Sequence, residues 1–455
     1  MDTEVDTVPA GTRIGAHDEL AAVERPALGD EYESEPVPLS ARRGLWSVSA
    51  VWLGFPMILT CAVFGGLIVY SLGFWRGMLA ILLGNLVLMG YVGALSYLAG
   101  ATGKSFALIA VDTFGRRGYR VVSAFLATVV IGWFAFQTGL TGSILAATMG
   151  WSERWTSLGA GIGYVLVTLL GIRALSAIGV IAAPLYLALG VTAVALALDD
   201  ASWSAALDYS GGAGTAALSM GAAVTLVVAC FIDSGTMTAD FTRWSKNGRQ
   251  GFLAAFSAFP LGNSVALVIG GLIVALGAAA DPARDGGNFL AILIDQGGWL
   301  VPVAVAFVFV NLGSVCAHCL YNGAVGWGQL TGRGMRSLSV VLGAVGVALA
   351  VAGVWSHFET WLNLLGVIVP PIGIVLILDQ LVLPRLGRAR PVARPWRRES
   401  FLAWGIGSAA ALAAHEWAPG LSDALVGMVV GAVVFYAARV VAGDRETALE
   451  RKAVA

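Results

Sequence analysis

The sequence predicts an all-α integral membrane protein with twelve transmembrane helices, and three observations carry that prediction. The 455 residues are 58% hydrophobic and only 12% charged, with a mean hydropathy of +0.80. A soluble domain averages about 45–50% apolar and about 25% charged residues. Apolar runs of the about 20 residues needed to span a bilayer recur along the chain. The Lys and Arg residues then concentrate on one side of the layout those runs define.

The runs lie near 46–70, 74–99, 119–149, 156–174, 177–198, 215–239, 251–279, 297–327, 337–355, 358–384, 400–417 and 421–440. The 337–384 region also admits a different division. An even number places both termini on one side. With the N-terminus cytoplasmic, only Arg76, Arg154 and Arg284 of the 27 Lys and Arg fall outside. This asymmetry predicts a multi-pass protein of the inner or plasma membrane with both termini cytoplasmic.

Four regions follow. Residues 1–40 carry ten acids against Arg13 and Arg25 and read as a disordered acidic cytoplasmic tail. That segment lacks a basic stretch followed by an apolar core, so it is not a signal peptide. Residues 41–384 form a ten-helix core whose halves cover about 44–200 and 212–384. Residues 385–440 add two helices behind a basic cytoplasmic loop, and 441–455 form a cytoplasmic tail. The loop cluster from Arg385 to Arg398 reads as a topology signal, open to contact with anionic lipid.

Several function classes are disfavoured. A net charge of -1 gives no bulk attraction to nucleic acid. The four cysteines, Cys61, Cys230, Cys316 and Cys319, lie in apolar runs and read as small hydrophobes. "CAHC" at 316–319 lacks the second ligand pair of a metal site. Without a phosphate-binding glycine loop, ATP-driven pumping within this chain is not expected. Asp233 and His318 have no third catalytic partner, which argues against an intramembrane enzyme. Polarity clusters near one midplane site instead of lining a pore, which argues against a channel. No cofactor is implied, and a monomer in the lipid bilayer is expected.

Two runs carry interruptions deep in apolar sequence. "LGFPM" at 53–57 places Gly54 and Pro56 in the first, where proline removes a backbone donor and crowds the preceding turn. "ACFIDSGTMTADF" at 229–241 places Gly235 between Ser234 and Thr236 in the sixth. Both breaks fall in the first helix of a five-helix half, and paired interruptions of this kind point to a transporter's central site. Freed carbonyls there can coordinate a cation. Glycines that only permit close helix packing are the simpler alternative. Pro370, Pro371 and Gly373 interrupt the tenth run and suggest a hinge or gating kink.

"IGWFAFQTG" at 131–139 puts Trp133 and Gln137 on one face of the third span. An indole plane, a second plane from Phe231 and an amide with both donor and acceptor suit a flat heteroaromatic ring. An ionisable Asp233 within a span is a functional candidate by default. It either carries a proton or binds a basic ring nitrogen, or it caps the half-helix at the break. His318 reads most simply as a satisfied packing histidine. Asp240 and Arg243 read as an exposed ion pair of small energetic weight at the cytoplasmic end.

With "GWF" at 132–134, "SGTMTADFTRW" at 234–244 and "VPPIG" at 369–373, the chain resembles the cytosine permeases and the wider nucleobase–cation symporter family 1. The resemblance runs from "PVPLSARRGLWS" at 36–47 to "VPPIGIVLILD" at 369–379. It implies two inverted five-helix repeats of the leucine-transporter type plus two extra helices. It also implies cation-driven uptake of a nucleobase or related heterocycle: cytosine, purine, uracil, hydantoin or hydroxymethylpyrimidine. By position, Trp133 and Phe231 would flank the substrate ring, Gln137 would meet its polar edge, and Cys230 and Asp233 would lie beside it. Gly54 and Met57 would offer carbonyls to a sodium ion, with Asn311 and Ser314 facing it from the eighth span. Gly235, Pro370 and Pro371 would serve as hinges. The chain departs from the pattern at Val315, which follows Ser314 where sodium-coupled relatives have a second hydroxyl, at Cys316, Ala317 and His318, and at Asp233. Sodium and proton coupling therefore both remain open, the latter for a different small heterocyclic or amine substrate as well.

Overall fold

The computed structural model describes residues 32, 34–212, 214, 218–387 and 394–454. Most of the expected acidic tail, and Arg388 and Arg390 of the basic loop, lie outside the described residues. The first run folds as α1 (Leu45–Gly54) and α2 (Leu59–Leu72), followed by α3 (Phe74–Thr102), the short α4 (Phe106–Phe114), α5 (Tyr119–Met149), α6 (Glu153–Leu169) and α7 (Ile172–Asp199). A turn of helix, α8 (Trp203–Leu207), leads to α9 (Met220–Ala229), α10 (Ile232–Thr236) and α11 (Ala239–Thr242). Next, α12 (Gly248–Phe256) continues through a π-helical stretch around Pro260 into α13 (Ser264–Ala275). Two small helices, α14 (Pro282–Asp285) and α15 (Leu290–Asp295), precede α16 (Leu300–Thr331) and α17 (Met335–Val351). The chain ends in α18 (Phe358–Ile368), α19 (Pro370–Ile377), α20 (Leu383–Arg385), α21 (Arg398–Trp417) and α22 (Asp423–Val454). The last helix thus runs on past residue 440, where a tail was expected.

Local chemistry sets the helix ends. Ser105, Ser219 and Asn247 begin α4, α9 and α12 by accepting hydrogen bonds from amides in the first turn. Gly103, Gly150 and Gly332 close α3, α5 and α16 in the left-handed conformation, which costs a glycine little. Among the described residues six segments are long and apolar enough to cross a bilayer, and the pair α1–α2, bent by 56°, makes a seventh. The other five apolar runs fall on α6, α9 to α11, α17, α21 and α22. Apolar side chains face outward along these helices, as with Leu82 and Leu86 on α3, Val191 on α7, Val341 on α17 and Val433 on α22. Water would penalise such faces, whereas lipid solvates them.

Close backbone contact holds the interior. A Cβ on Gly65 of α2 would collide with the Leu267 carbonyl of α13, and one on Gly270 of α13 would collide with that of Ala62. Small residues here let the two helices touch backbone to backbone. Gly54 ends α1 against Gly179 of α7, where a Cβ would lie 2.7 Å from the glycine Cα. In the tenth run the helix stops at Ile368 and restarts at Pro370, and Trp361–Arg385 still counts as a single span. Pro371 is seated against Gly407 of α21 and Gly427 and Gly431 of α22, which makes it an anchor for the last two helices.

The basic loop holds a correction to its reading as a topology signal. Arg397 is buried and grips Asp379 with two hydrogen bonds, Nη1 to Oδ2 at 2.7 Å and Nη2 to Oδ1 at 2.8 Å. Thr113 of α4 donates to the same carboxylate at 3.0 Å, and Arg397 also donates to the Asp112 carbonyl. Burial opposes the guanidinium charge, but Asp379 outweighs it and holds the Arg397 pKa above its ordinary value.

Candidate functional site

The two interrupted helices meet. In the first, α1 stops at Gly54 and α2 starts at Leu59, and the intervening Ile58 amide turns back onto the Pro56 carbonyl at 2.9 Å. In the second, α9 stops at Ala229 and Phe231 leaves helical geometry, with φ -138° and ψ 8°. The ring of Phe55 from the first break lies 5.3 Å from that of Phe231 in the second, and Phe259 packs 5.8 Å from Phe231. The helix thus breaks at Phe231, four residues before Gly235, and stops again at Thr236, one residue after it. Gly235 lies inside α10, where a Cβ would come 2.7 Å from Val92 of α3, so its smallness serves close packing.

Asn311 of α16 bridges the first break. Its Oδ1 accepts from the Leu59 amide at 2.8 Å, and its Nδ2 donates to the Met57 carbonyl at 2.7 Å. One side chain thus satisfies an amide that starts α2 and a carbonyl that the break frees. Ser314, one turn further on, has a buried hydroxyl with no hydrogen-bond partner, while its carbonyl faces His318 Nδ1 at 2.6 Å. His318 Nε2 faces the Val51 carbonyl of α1 at 3.0 Å. Two carbonyl oxygens thus flank one imidazole, and only its protonated form donates to both.

The opposite wall comes from α5. Trp133 and Gln137 are both buried, one helical turn apart. Gln137 Oε1 accepts from Thr60 of α2 at 2.9 Å, which leaves Nε2 without a partner. The Trp133 indole faces the Asp233 carboxylate, and Cys230 and Cys319 lie near the same acid. Asp233 itself is wholly buried, and neither of its oxygens has a hydrogen-bond partner. It is not the half-helix cap that one reading expected, because the Gly235 amide goes to the Phe231 carbonyl at 2.6 Å. All four cysteines are buried and free.

Further along, Thr236 bonds Tyr91 of α3 at 2.6 Å and Thr238 bonds Ser96 at 2.7 Å, which ties the second broken helix to α3. Asp240 and Arg243 are buried, not exposed, and Asp240 Oδ1 accepts from the Phe106 amide at the start of α4. Sequence reasoning missed Tyr91, Ser96 and Thr60, whose hydroxyls in apolar runs were the available signal. It also missed Asn322, a buried amide on α16 with both polar atoms unpartnered.

Taken together, an aromatic set, an amide donor and an unpartnered carboxylate converge where two helices are broken. Comparison with known proteins points the same way. Residues 36–390 match the family model described as permease for cytosine/purines, uracil, thiamine, allantoin. The chain is 31% identical over 411 residues to the cytosine permease of Escherichia coli strain K12, covering 90% of this chain and 93% of that protein. It is 26% identical over 407 residues to the hydantoin permease of Microbacterium maritypicum, covering 83% and 82%. Its fold resembles that of Mhp1, a nucleobase-cation-symport-1 family transporter, in a closed conformation with bromovinylhydantoin bound. That match has a TM-score of 0.72 at 20% identity and covers 90% of this chain and 94% of the other. A Na+-coupled sialic acid symporter in a substrate-bound outward-open state matches at 0.69 and 13% identity, covering 92% and 93%. These relatives are permeases and transporters, not enzymes. The chain is a multi-pass membrane protein that belongs to the family of permeases for cytosine and purines, uracil, thiamine and allantoin.

Proposed function

We propose that this protein imports a nucleobase or related flat heterocycle by cation symport, through alternating access to the site between its two broken helices. The observation that carries this reading is the convergence of Phe231, Trp133, the free Nε2 of Gln137 and the unpartnered Asp233 at the breaks. Buried polar atoms without partners are costly, and a bound polar ring would satisfy them. Trp133 and Phe231 act as plates, while Gln137, Cys230 and Asp233 meet the ring edge. Twelve spans, arranged as two inverted five-helix repeats plus two further helices, place both termini in the cytoplasm. Gly54, Met57, Asn311 and Ser314 form the cation-facing side. Pro370 and Pro371 pivot together with the last two helices.

A second reading concerns the coupling ion, and Asn311 favours it. Its amide already occupies the Met57 carbonyl, and Val315 offers no oxygen to a hard cation that wants several. Proton coupling through Asp233 and His318 fits this arrangement better than sodium coupling. Uptake of radiolabelled heterocycles into proteoliposomes, with proton and sodium gradients imposed separately, tests both readings. An inward proton gradient should drive accumulation without sodium. Accumulation driven by sodium alone would refute proton coupling, and uptake that ignores both gradients would refute symport.

A further inference from the structure

Among the described residues, Asp233 is the one acid at the meeting of the two breaks, and its surroundings define what it can bind. It is wholly buried, both oxygens lack hydrogen-bond partners, and among the described residues it makes no ion pair. The titratable groups beside it are the thiols of Cys230 on the α9 side and Cys319 on α16. From α3, Tyr91 is engaged with Thr236, and from α5 the Trp133 indole faces the carboxylate. An ionised carboxylate only accepts, so this wall presents two acceptors and nothing basic to balance them.

We infer that Asp233 reads an amidine-type edge of the substrate, a ring nitrogen next to an exocyclic amino group, and takes it up together with one proton. This rests on the proposed function and narrows its substrate class to amino-substituted nitrogen heterocycles. Two parallel N–H donors match two carboxylate oxygens, the geometry that makes arginine–carboxylate pairs strong. A neutral amino-heterocycle supplies one N–H and one lone pair, so a single added proton completes the match. That proton comes from the loading side and leaves with the substrate on the other, and no covalent bond changes. Its position on the ring nitrogen or on Asp233 belongs to the pair, not to either group. A lactam edge, with a carbonyl oxygen in place of the amino group and the hydrogen on the ring nitrogen, is too weak a base to draw the proton. It can form only the neutral pair with a protonated Asp233, without charge assistance. The free Nε2 of Gln137 supplies the donor for a carbonyl elsewhere on the ring.

Isothermal calorimetry on the purified full-length protein tests this with two shape-matched pairs, cytosine against uracil and adenine against hypoxanthine. Each titration is run in two buffers of different ionisation enthalpy, so that the heat difference reports protons taken up. The amino member of a pair that binds should bind about tenfold more tightly than its oxo partner, the difference expected of a charge-assisted hydrogen bond. At a pH that ionises Asp233 in the empty site, it should take up one proton per site. Asp233→Asn, which offers its own donor and acceptor, should keep binding but lose both the proton uptake and the preference. Equal or tighter binding of the oxo member, or binding of the amino member without proton uptake, overturns the inference while leaving the proposed function standing. Absence of binding by all four compounds overturns the inference, while the proposed function, which also covers hydantoins, is judged by the uptake assay. The wild-type measurements decide the matter even if Asp233→Asn fails to fold.

Discussion

Asn311 shows how much one side chain does at the first break. Its amide bridges the Met57 carbonyl and the Leu59 amide, residues about 250 positions away along the chain. Asn311→Ala leaves both groups buried and unpaired, and should lower stability by about 2 kcal/mol, read as thermal unfolding in detergent, with reduced uptake. Asn311→Asp keeps the acceptor for Leu59 but turns a second oxygen toward the Met57 carbonyl. Two facing acceptors call for a cation, so sodium should raise the unfolding temperature of this variant more than that of the wild type. None of this bridge was legible in the sequence, where Asn311 stood out only through its resemblance to ion-facing positions. Side-chain pairing across hundreds of residues leaves no local trace. Pro56 was legible because its chemistry is local: a missing N–H breaks a helix wherever it occurs. Asp233 was legible for the same kind of reason, a charge in an oily run, whereas its lack of partners required coordinates.

At the scale of elements, broken and unbroken helices divide the labour. The unbroken α5 and α16 carry Trp133, Gln137, Asn311 and His318 on rigid faces, while α1–α2 and α9–α11 present the loose ends those faces engage. Apolar run length placed the helices well, since each run falls on helix among the described residues. The second interruption is double, with the backbone departing at Phe231 and again at Met237, and Gly235 marked only the stretch between the two. Aromatic packing against Phe55 and Phe259, not intrinsic propensity, accompanies the first departure. The contact between α2 and α13 has no slack. Gly270→Ala would force the Ala62 backbone away and should destabilise the protein by about 3 kcal/mol, the upper range for overpacking, with a matching fall in unfolding temperature. A substitution at Gly163, where a Cβ meets open space, serves as the control and should leave that temperature unchanged.

For the whole molecule, the pair between Arg397 and Asp379 joins the start of α21 to the helices that precede it. Arg397→Ala would strand a buried carboxylate and should cost about 3–5 kcal/mol. Arg439 Nε also lies 4.0 Å from Asp379 Oδ1. Replacing both partners, with Arg397→Met and Asp379→Leu, therefore removes the stranded carboxylate but takes a partner from buried Arg439, and should restore only part of that loss in the same unfolding assay. Sequence patterning counted Arg397 among surface cations because nothing nearby along the chain announces its partner. The pair also sets an order in time. A ribosome that has released the chain through α20 but not residue 397 has made a chain whose Asp379 is already in place without its counter-charge. Synthesis of the final segment therefore completes a core that was apparently finished long before, and chains cut short just ahead of it are the ones that cellular quality control should remove first.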